Sequence, residues 1–289
     1  MRPGILFRAL ILALLVLLPM GSAQAQGKDS GSRDALAPGS VLWLKTEWPP
    51  VFTSSGKGFG DQAMAWLIER LPADYSHEIR TLPLARLLKQ MEDPLATICT
   101  SNLLRTPARE TQFLISRDIM RMPALGLVVR SSDVAAFAPL RDSRGMIEFR
   151  RVLEQTQLDG VFNENRSYGP ALDALLRAAP PSAPVARLPK TSGMVSMLAA
   201  NRVDWVLLYP FEAIWLARQE QTAPVLATLP IAELPPFNDG GVTCNRTPTA
   251  ARLVADIDRI LAAHPDEPWL KPMLEWLDPE TRKRVSTRR

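Results

Sequence analysis

The stretch VLWLKTEWPPVFTSSGKGFGDQAMAWLIERL, residues 41–71, decides the fold expected for this chain. It begins with a β-rich segment, Val41–Lys45, in which apolar and polar residues partly alternate. Two prolines and three glycines then mark a loop. Asp61 is placed to cap a helix that ends before Pro72. A strand, a loop and a helix in this order are typical of the first half of a βαβ unit.

The alternation of strands and helices continues towards the C terminus. Residues 76–80 and 95–99 are predicted as strands, with an amphipathic helix between them that begins near Pro83. Residues 124–130 form a further strand, and a second series of strands and helices follows it. The predicted fold class is therefore α/β, with mixed, mostly parallel sheets flanked by helices.

The carboxyl ends of the predicted strands are the expected place for a ligand, because open α/β sheets gather ligands there. Two such ends carry polar or aromatic side chains, namely Thr46-Glu47-Trp48 after the first strand and Thr100-Ser101-Asn102 after the third. Topology alone makes both loops candidate site loops.

The first 25 residues are predicted to be a cleaved secretory signal. Arg2 and Arg8 give a positive start, Ala9–Leu18 is an apolar run, and Ala23-Gln24-Ala25 offers small residues for cleavage after Ala25. The alternative, a membrane anchor, needs about 20 apolar residues. Residues 26–40 are polar and rich in Gly, Ser and Asp, which predicts a disordered spacer.

Charge and composition exclude several classes of function. The formal net charge is +4, and about +2 remains without Arg2 and Arg8, so the chain gives no case for nucleic-acid binding. Its two histidines, His77 and His264, lie far apart in the sequence, and no Cys/His cluster has metal-ligand spacing. We expect neither a metal nor a cofactor.

The two cysteines, Cys99 and Cys244, each end a β-like run, LATIC and GGVTC. In an oxidising compartment two thiols most simply form one disulfide, and adjacent strands would bring their Cα atoms within bridging distance. The alternative is two separately buried free thiols.

Three segments in this order resemble the polar amino-acid type of periplasmic solute-binding protein, family 3. WPPVFTSSGKGFGDQAM resembles that family's opening loop and helix, TPARETQFLIS its T-x-x-R segment, and MLAANRVDWVLLYPFEA its G-R-x-D helix and strand. The similarity spans residues 41–277, nearly all of the mature chain. The resemblance implies the two-lobed type II periplasmic-binding fold.

In such a fold the chain builds one lobe, crosses to the second and returns. The resemblance implies a first lobe of residues 41–128 plus 229–289 and a second lobe of residues 129–228. Both cysteines then fall in the first lobe, which strengthens the disulfide prediction. It also implies a periplasmic, monomeric protein that captures a small solute between its lobes for an inner-membrane transporter or a sensor.

Arg109 is the first candidate ligand contact, because the arginine of T-x-x-R holds the ligand carboxylate in the resembling family. A planar guanidinium makes two parallel hydrogen bonds to a carboxylate, which a lysine cannot copy. Thr106 and its backbone would add donors. The alternatives are an arginine that caps a helix or pairs with Glu110, and Arg105 as the ligand contact instead.

The remaining candidates in the first lobe have plain structural alternatives. Trp48 stacks on the ligand or packs beneath its own loop. Glu47 meets a cationic group or faces water. Ser101 and Asn102 offer hydrogen bonds or simply form a turn.

Residues of the second lobe supply further candidates. Ser167 and Tyr168 precede a helix that starts near Pro170, where exposed N–H groups attract anions, and Ser167 caps that helix in the alternative interpretation. Tyr209 stands where amino-acid-binding members usually carry an aspartate for the α-ammonium, so a standard α-amino acid is not the expected ligand. Asn201 replaces the glycine of G-R-x-D, a change that Asn tolerates at positive φ.

The expected function is capture of a carboxylate-bearing or amino-acid-like solute without catalysis. One alternative is an enzyme on the same fold, similar to dehydratases of cyclic acids, with Glu47, Glu164 or Tyr168 as acid or base. Another is a partner-binding protein with a degenerate cleft, which the departure at Tyr209 keeps open.

Overall fold

A computed structural model of the protein describes residues 39–222 and 225–286. The predicted signal peptide lies outside these residues, as does all of the predicted spacer except its last two residues. Of those two, Ser40 already belongs to the first strand. No helix in the described part of the chain has the length and apolar character that a membrane span requires.

The first sheet has five strands within the described residues, in the order β2-β1-β3-β10-β4. They are β1 (Ser40–Lys45), β2 (Ser76–Thr81), β3 (Thr97–Thr100), β4 (Leu114–Pro123) and β10 (Phe237–Cys244). Strand β1 runs parallel to β2 and β3, whereas β10 runs antiparallel to β3 and β4. The predicted βαβαβ order is therefore present in its parallel half.

The second sheet repeats this plan in the order β7-β6-β8-β5-β9. Its strands are β5 (Gly126–Arg130), β6 (Gly160–Asn163), β7 (Val185–Leu188), β8 (Trp205–Leu208) and β9 (Leu226–Pro230). Strand β6 is parallel to β7 and β8, and β5 is antiparallel to β8 and β9. Each sheet thus has a parallel half and one strand that the chain adds after crossing from the other sheet.

Helices flank both sheets, as the fold class predicts. The helices are α1 (Phe59–Ile68), α2 (Leu84–Gln90), α3 (Pro107–Gln112), α4 (Phe149–Glu154), α5 (Pro170–Arg177), α6 (Met194–Ala199), α7 (Pro210–Gln219), α8 (Pro248–Ala263), α9 (Lys271–Leu274) and α10 (Pro279–Ser286), with 3-10 segments at Ser131–Leu140 and Pro268–Leu270. Helix α1 begins two residues before Asp61, and its N-cap residue is Gly58; Asp61 caps the helix start from the third helical position, where its side chain accepts from Gly58 N. Asn201 has a φ of 54°, as expected for a residue in place of a glycine.

The chain crosses between the sheets twice, at residues 124–125 and at residues 231–236. The predicted lobe boundaries, 128/129 and 228/229, each fall inside a strand of the second sheet, a few residues away. Sequence patterning cannot place such a crossing, because the chain stays extended on both sides of it. Helix α10 also packs against β9 of the second sheet, where Arg284 Nη2 donates to Thr228 O at 3.0 Å.

The predicted disulfide is present between Cys99 of β3 and Cys244 of β10. The two residues face each other in the antiparallel register, and neither is exposed to solvent. The bridge closes a loop of 145 residues that contains the whole second lobe. It therefore ties the outgoing and returning segments of the first lobe together.

Removal of the bridge in the double variant Cys99→Ala/Cys244→Ala should lower the free energy of unfolding by about 2–4 kcal/mol. The cause is the larger conformational entropy of an unfolded chain without the cross-link. Urea unfolding followed by circular dichroism measures the change. Under reductant, wild type and variant should unfold at nearly the same urea midpoint. A urea midpoint that neither the double substitution nor the reductant changes would contradict the prediction.

Candidate ligand-binding site

The two predicted site loops lie side by side at the carboxyl ends of β1 and β3. The side-chain oxygen of Asn102 accepts a hydrogen bond from Thr46 N at 3.2 Å, and Asn102 N donates to Thr100 Oγ1 at 3.1 Å. Ser101 is buried next to this link. Asn102 therefore links the two loops through its amide, which is a structural role.

Arg105 and Arg109 have different surroundings, although only four residues separate them. Arg105 donates to Glu110 at 2.9 Å, to Asp118 at 3.0 Å and to the carbonyl of Ser116. Its charge is thus matched by two carboxylates. The sequence analysis considered Glu110 as a partner for Arg109, but in the structure Glu110 forms its ion pair with Arg105.

Arg109 has one hydrogen-bond partner for its side chain among the described residues, the carbonyl of Leu104 at 2.6 Å from Nη1. No carboxylate of the described chain forms an ion pair with it. Burial lowers the pKa of Arg109, and no neighbouring acid offsets that effect. A guanidinium has five N–H donors, so most of this half-buried cation's donors remain for another group.

Thr106 begins helix α3 and acts as its cap. Its Oγ1 accepts from Arg109 N at 3.3 Å, with Pro107 at the first helical position. This bond fixes the backbone from which the Arg109 side chain extends. The hydroxyl of Thr106 is therefore already used as an acceptor.

The hydroxyl oxygen of Thr46 is buried and has no hydrogen-bond partner in the described structure. Thr46 follows β1 directly and is linked through its backbone to Asn102. A buried hydroxyl without a partner costs free energy, typically about 1–3 kcal/mol. Such an atom beside the candidate cleft fits a site that a polar ligand completes.

A buried ion pair holds the loop that follows β1. Lys45 Nζ lies 2.5 Å from Asp61 Oδ1 and 2.9 Å from Thr53 O. The other Asp61 oxygen accepts from the backbone N–H groups of Thr53 and Gly58, both at 2.9 Å. The loop carrying Trp48 is thus tied at both ends to one carboxylate. Glu47, by contrast, is exposed and accepts only a long bond from Ser54 N at 3.3 Å.

Aromatic rings join the two lobes next to Trp48. The Trp48 ring meets Tyr209 edge-on at 5.4 Å and Phe211 at 5.6 Å, and Phe211 also meets Phe59 at 5.5 Å. Phe211 belongs to α7 of the second lobe, yet it is fully buried in the core cluster of the first. The Tyr209 hydroxyl accepts from Asn238 Nδ2 of β10 at 3.4 Å. Tyr209 therefore spans the cleft from the second lobe to the first.

A second buried ion pair lies against the Tyr209 ring. Arg166 Nη1 reaches both carboxylate oxygens of Glu212, at 2.9 and 2.8 Å, and the guanidinium lies 5.1 Å from the Tyr209 ring centroid. Burial raises the pKa of Tyr209. Glu212, an acid three residues beyond the position where the resemblance places the ammonium-binding aspartate, is therefore already paired.

Ser167 and Tyr168 are engaged within the second lobe. Ser167 Oγ donates to Asp173 at 2.6 Å, and the cap of α5 is Gly169 with a φ of 90°, so the capping role considered for Ser167 is wrong. Tyr168 is buried, and its hydroxyl accepts from Asn163 N at 2.8 Å. Burial raises the pKa of Tyr168 to about 12.

The sequence analysis included Thr46 in a candidate site loop, but it did not identify Phe211, Glu212 and Asn238 as members of this region. The order Tyr-Pro-x-Glu at 209–212 carries the signature of a helix start, with Glu212 completing a capping box, and it could have marked that residue as structural. Its pairing with Arg166 joins positions 46 residues apart and leaves no pattern in the sequence. No group of three or more His, Cys, Asp or Glu residues suited to a metal was found in the described part of the chain.

Solved structures with the same fold are similar to this chain at low identity. A probable amino-acid ABC transporter extracellular-binding protein from Bacillus subtilis is 17% identical with a TM-score of 0.56, covering 82% of this chain and 98% of its own. An amino acid ABC transporter substrate-binding protein from Streptococcus pneumoniae, bound to L-arginine, is 16% identical with a TM-score of 0.51 (83% and 94% covered). The L-cystine solute receptor of Neisseria gonorrhoeae, unliganded and open, is 13% identical with a TM-score of 0.55 (81% and 90% covered).

No protein-family model matches the sequence, and no curated protein matches it either. At identities of 13–17% the likeness shows the fold. The two-lobed periplasmic-binding fold predicted from the sequence motifs is confirmed, with two five-stranded mixed sheets flanked by helices.

Proposed function

We propose that this chain is a divergent, extracytoplasmic solute-binding protein that captures a small carboxylate-bearing solute between its lobes. The observation that carries the proposal is Arg109, a half-buried cation on helix α3 that forms no ion pair with a carboxylate of the described residues. The buried hydroxyl of Thr46, which has no hydrogen-bond partner in the described structure, supports a polar ligand at the loop that follows β1. Capture requires donors held in position and lobes that close, with no nucleophile.

The proposed ligand carries a carboxylate but no α-ammonium group. The neighbours' ligands include L-arginine in the Streptococcus protein, and an amino acid needs an acid near its ammonium group. Here Tyr209 occupies the position where the resemblance places that acid, and Glu212 is already held by Arg166. Trp48, whose ring meets Tyr209 edge-on, would instead contact an apolar or planar ligand body, whereas the Tyr209 ring is already stacked on Phe211.

The first experiment is native mass spectrometry of the protein as purified, followed by a thermal-shift screen of carboxylates. A ligand at about 100 times its dissociation constant should stabilise wild type by about 2.7 kcal/mol. Arg109→Ala should lose most of this gain, because the ligand's carboxylate would have no bidentate partner, and Arg109→Lys should recover little of it.

Arg86→Ala is the matched control, because Arg86 is an exposed arginine on α2 of the same lobe. It should keep the full stabilisation by the ligand. If Arg109→Ala and Arg86→Ala retain the same gain, the proposed role of Arg109 is wrong. If the added carboxylic acid is consumed and a new product appears in the mass spectra, the protein is instead an enzyme on this fold.

The proposal includes export and a cognate membrane partner. Cleavage after Ala25 would give a periplasmic chain that begins at Gln26, which the intact mass of protein recovered from the periplasm measures directly. A monomer in solution would deliver the solute to an inner-membrane transporter or present it to a sensor.

A further inference from the structure

A cavity of about 450 Å³ lies where the chain crosses between the two sheets. Both crossings line it: Pro123–Gly126 from the first, and Pro230, Ile231 and Leu234–Phe237 from the second. Met146, Pro210 and helix α10 complete the wall. None of the candidate ligand contacts named above lines this hinge cavity, so it is separate from the ligand site proposed at Arg109.

The wall of the hinge cavity is mainly apolar. Five of its lining residues are prolines, which have no backbone N–H. Within residues 39–222 and 225–286, no Asp or Glu lines it. Its size and composition match those of small-molecule sites, which are concave, mostly apolar and frequent at domain boundaries.

Arg284 of helix α10 supplies the main polar group. Its Nη2 donates to Thr228 O at 3.0 Å and to Thr281 Oγ1 at 2.7 Å. Burial lowers the pKa of Arg284, an effect that Asp278 and Glu280 oppose and Arg141 reinforces. Arg144, the other arginine of the lining, is mostly exposed and pairs with Asp142 at 2.8 Å.

We propose that the hinge cavity is a second binding site, which takes a small monocarboxylate with a compact apolar body. Leu125, Met146, Ile231 and Val285 would enclose the apolar body, and the Arg284 guanidinium would face the carboxylate. Among the described residues the lining carries two arginines and no Asp or Glu, which favours an anionic ligand over a cationic one.

The occupant would touch both crossings and Pro210 at once. Pro210 stands between Tyr209 and Phe211, the two rings that contact Trp48 across the lobes. A ligand in the hinge cavity would therefore contact the segments whose backbone angles must change when the lobes move.

The test uses octanoate as the probe and the full mature chain carrying Arg109→Ala, so that the cleft does not contribute. Methionine-methyl NMR gives a local readout. The Met146 methyl, which lines the cavity, should shift on titration, whereas the methyl of Met194, fully buried in the second lobe away from the lining, should not. Octanol, which lacks the carboxylate, and acetate, which lacks the apolar body, should each bind at least tenfold more weakly.

Two further variants locate the probe. Leu234→Trp should fill the cavity and abolish the Met146 shift, and Arg284→Gln should weaken octanoate binding at least tenfold. Leu95→Trp, at a residue 80% exposed in the first lobe, controls for the added indole and should change nothing. An unmoved Met146 methyl, octanoate binding that needs Arg109, or equal binding by Leu234→Trp and wild type would each overturn the proposal.

Discussion

Replacement of Phe211 by alanine should lower the free energy of unfolding by about 3–5 kcal/mol, the usual cost of removing a fully buried phenylalanine. Phe211 extends from α7 of the second lobe into the core of the first, between Phe59 and Trp48. Its loss would leave a cavity at the contact between the lobes. Urea unfolding followed by circular dichroism measures the change.

The same variant should also separate the lobes, because the rings of Tyr209 and Trp48 would lose their shared neighbour. Small-angle X-ray scattering should record a larger radius of gyration. Phe137→Ala is the matched control, since Phe137 is equally buried but lies wholly within the second lobe's core. It should cost similar stability and leave the radius unchanged; equal radii for both variants would show that Phe211 does not hold the lobes together.

Most elements of the fold were predicted from the sequence, because the residue pattern within each element identifies it, but the strands β4 and β9 were not. The β-rich run at 41–45 forms β1, and the two cysteine-terminated runs pair as neighbouring strands joined by a disulfide. Asn201 has the positive φ that its position demands. The lobe boundaries stay a prediction, because strands lie on both sides of each crossing and the sequence pattern does not mark where one lobe ends.

The candidate site was less predictable, because its chemistry depends on contacts between distant segments. The sequence left Arg105 and Arg109 as rivals. The register of β4 brings Asp118 and the carbonyl of Ser116 to Arg105, and this pairing supports Arg109 as the proposed ligand contact. The sequence also showed that Tyr209 stands in place of the aspartate of the resembling family. It could not show the contact between Tyr209 and Trp48, because these residues lie in different lobes and no sequence pattern relates them.

Lys45→Met should destabilise the protein by about 3–5 kcal/mol, the cost of leaving one partner of a buried ion pair without the other. Lys45 and Asp61 are 6% and 4% exposed, so water cannot replace the lost ammonium group. The variant should also bind a carboxylate more weakly, because the loop that carries Trp48 is held by hydrogen bonds from Thr53 and Gly58 to Asp61. Urea unfolding gives the stability, and a thermal-shift titration gives the affinity for a carboxylate.

The double variant Lys45→Met/Asp61→Asn separates the charge from the loop's hydrogen bonds. It leaves no lone buried charge, and the amide oxygen introduced at position 61 still accepts from the loop, so the double variant should recover part of the stability lost in Lys45→Met. Arg252→Met, which breaks an exposed pair with Asp74, should cost less than about 1 kcal/mol. If the costs of Lys45→Met and Asp61→Asn simply add in the double variant, the two side chains do not act as a pair. The loop would then owe its order to its prolines and to the apolar packing of Val51 and Phe52, which are both fully buried.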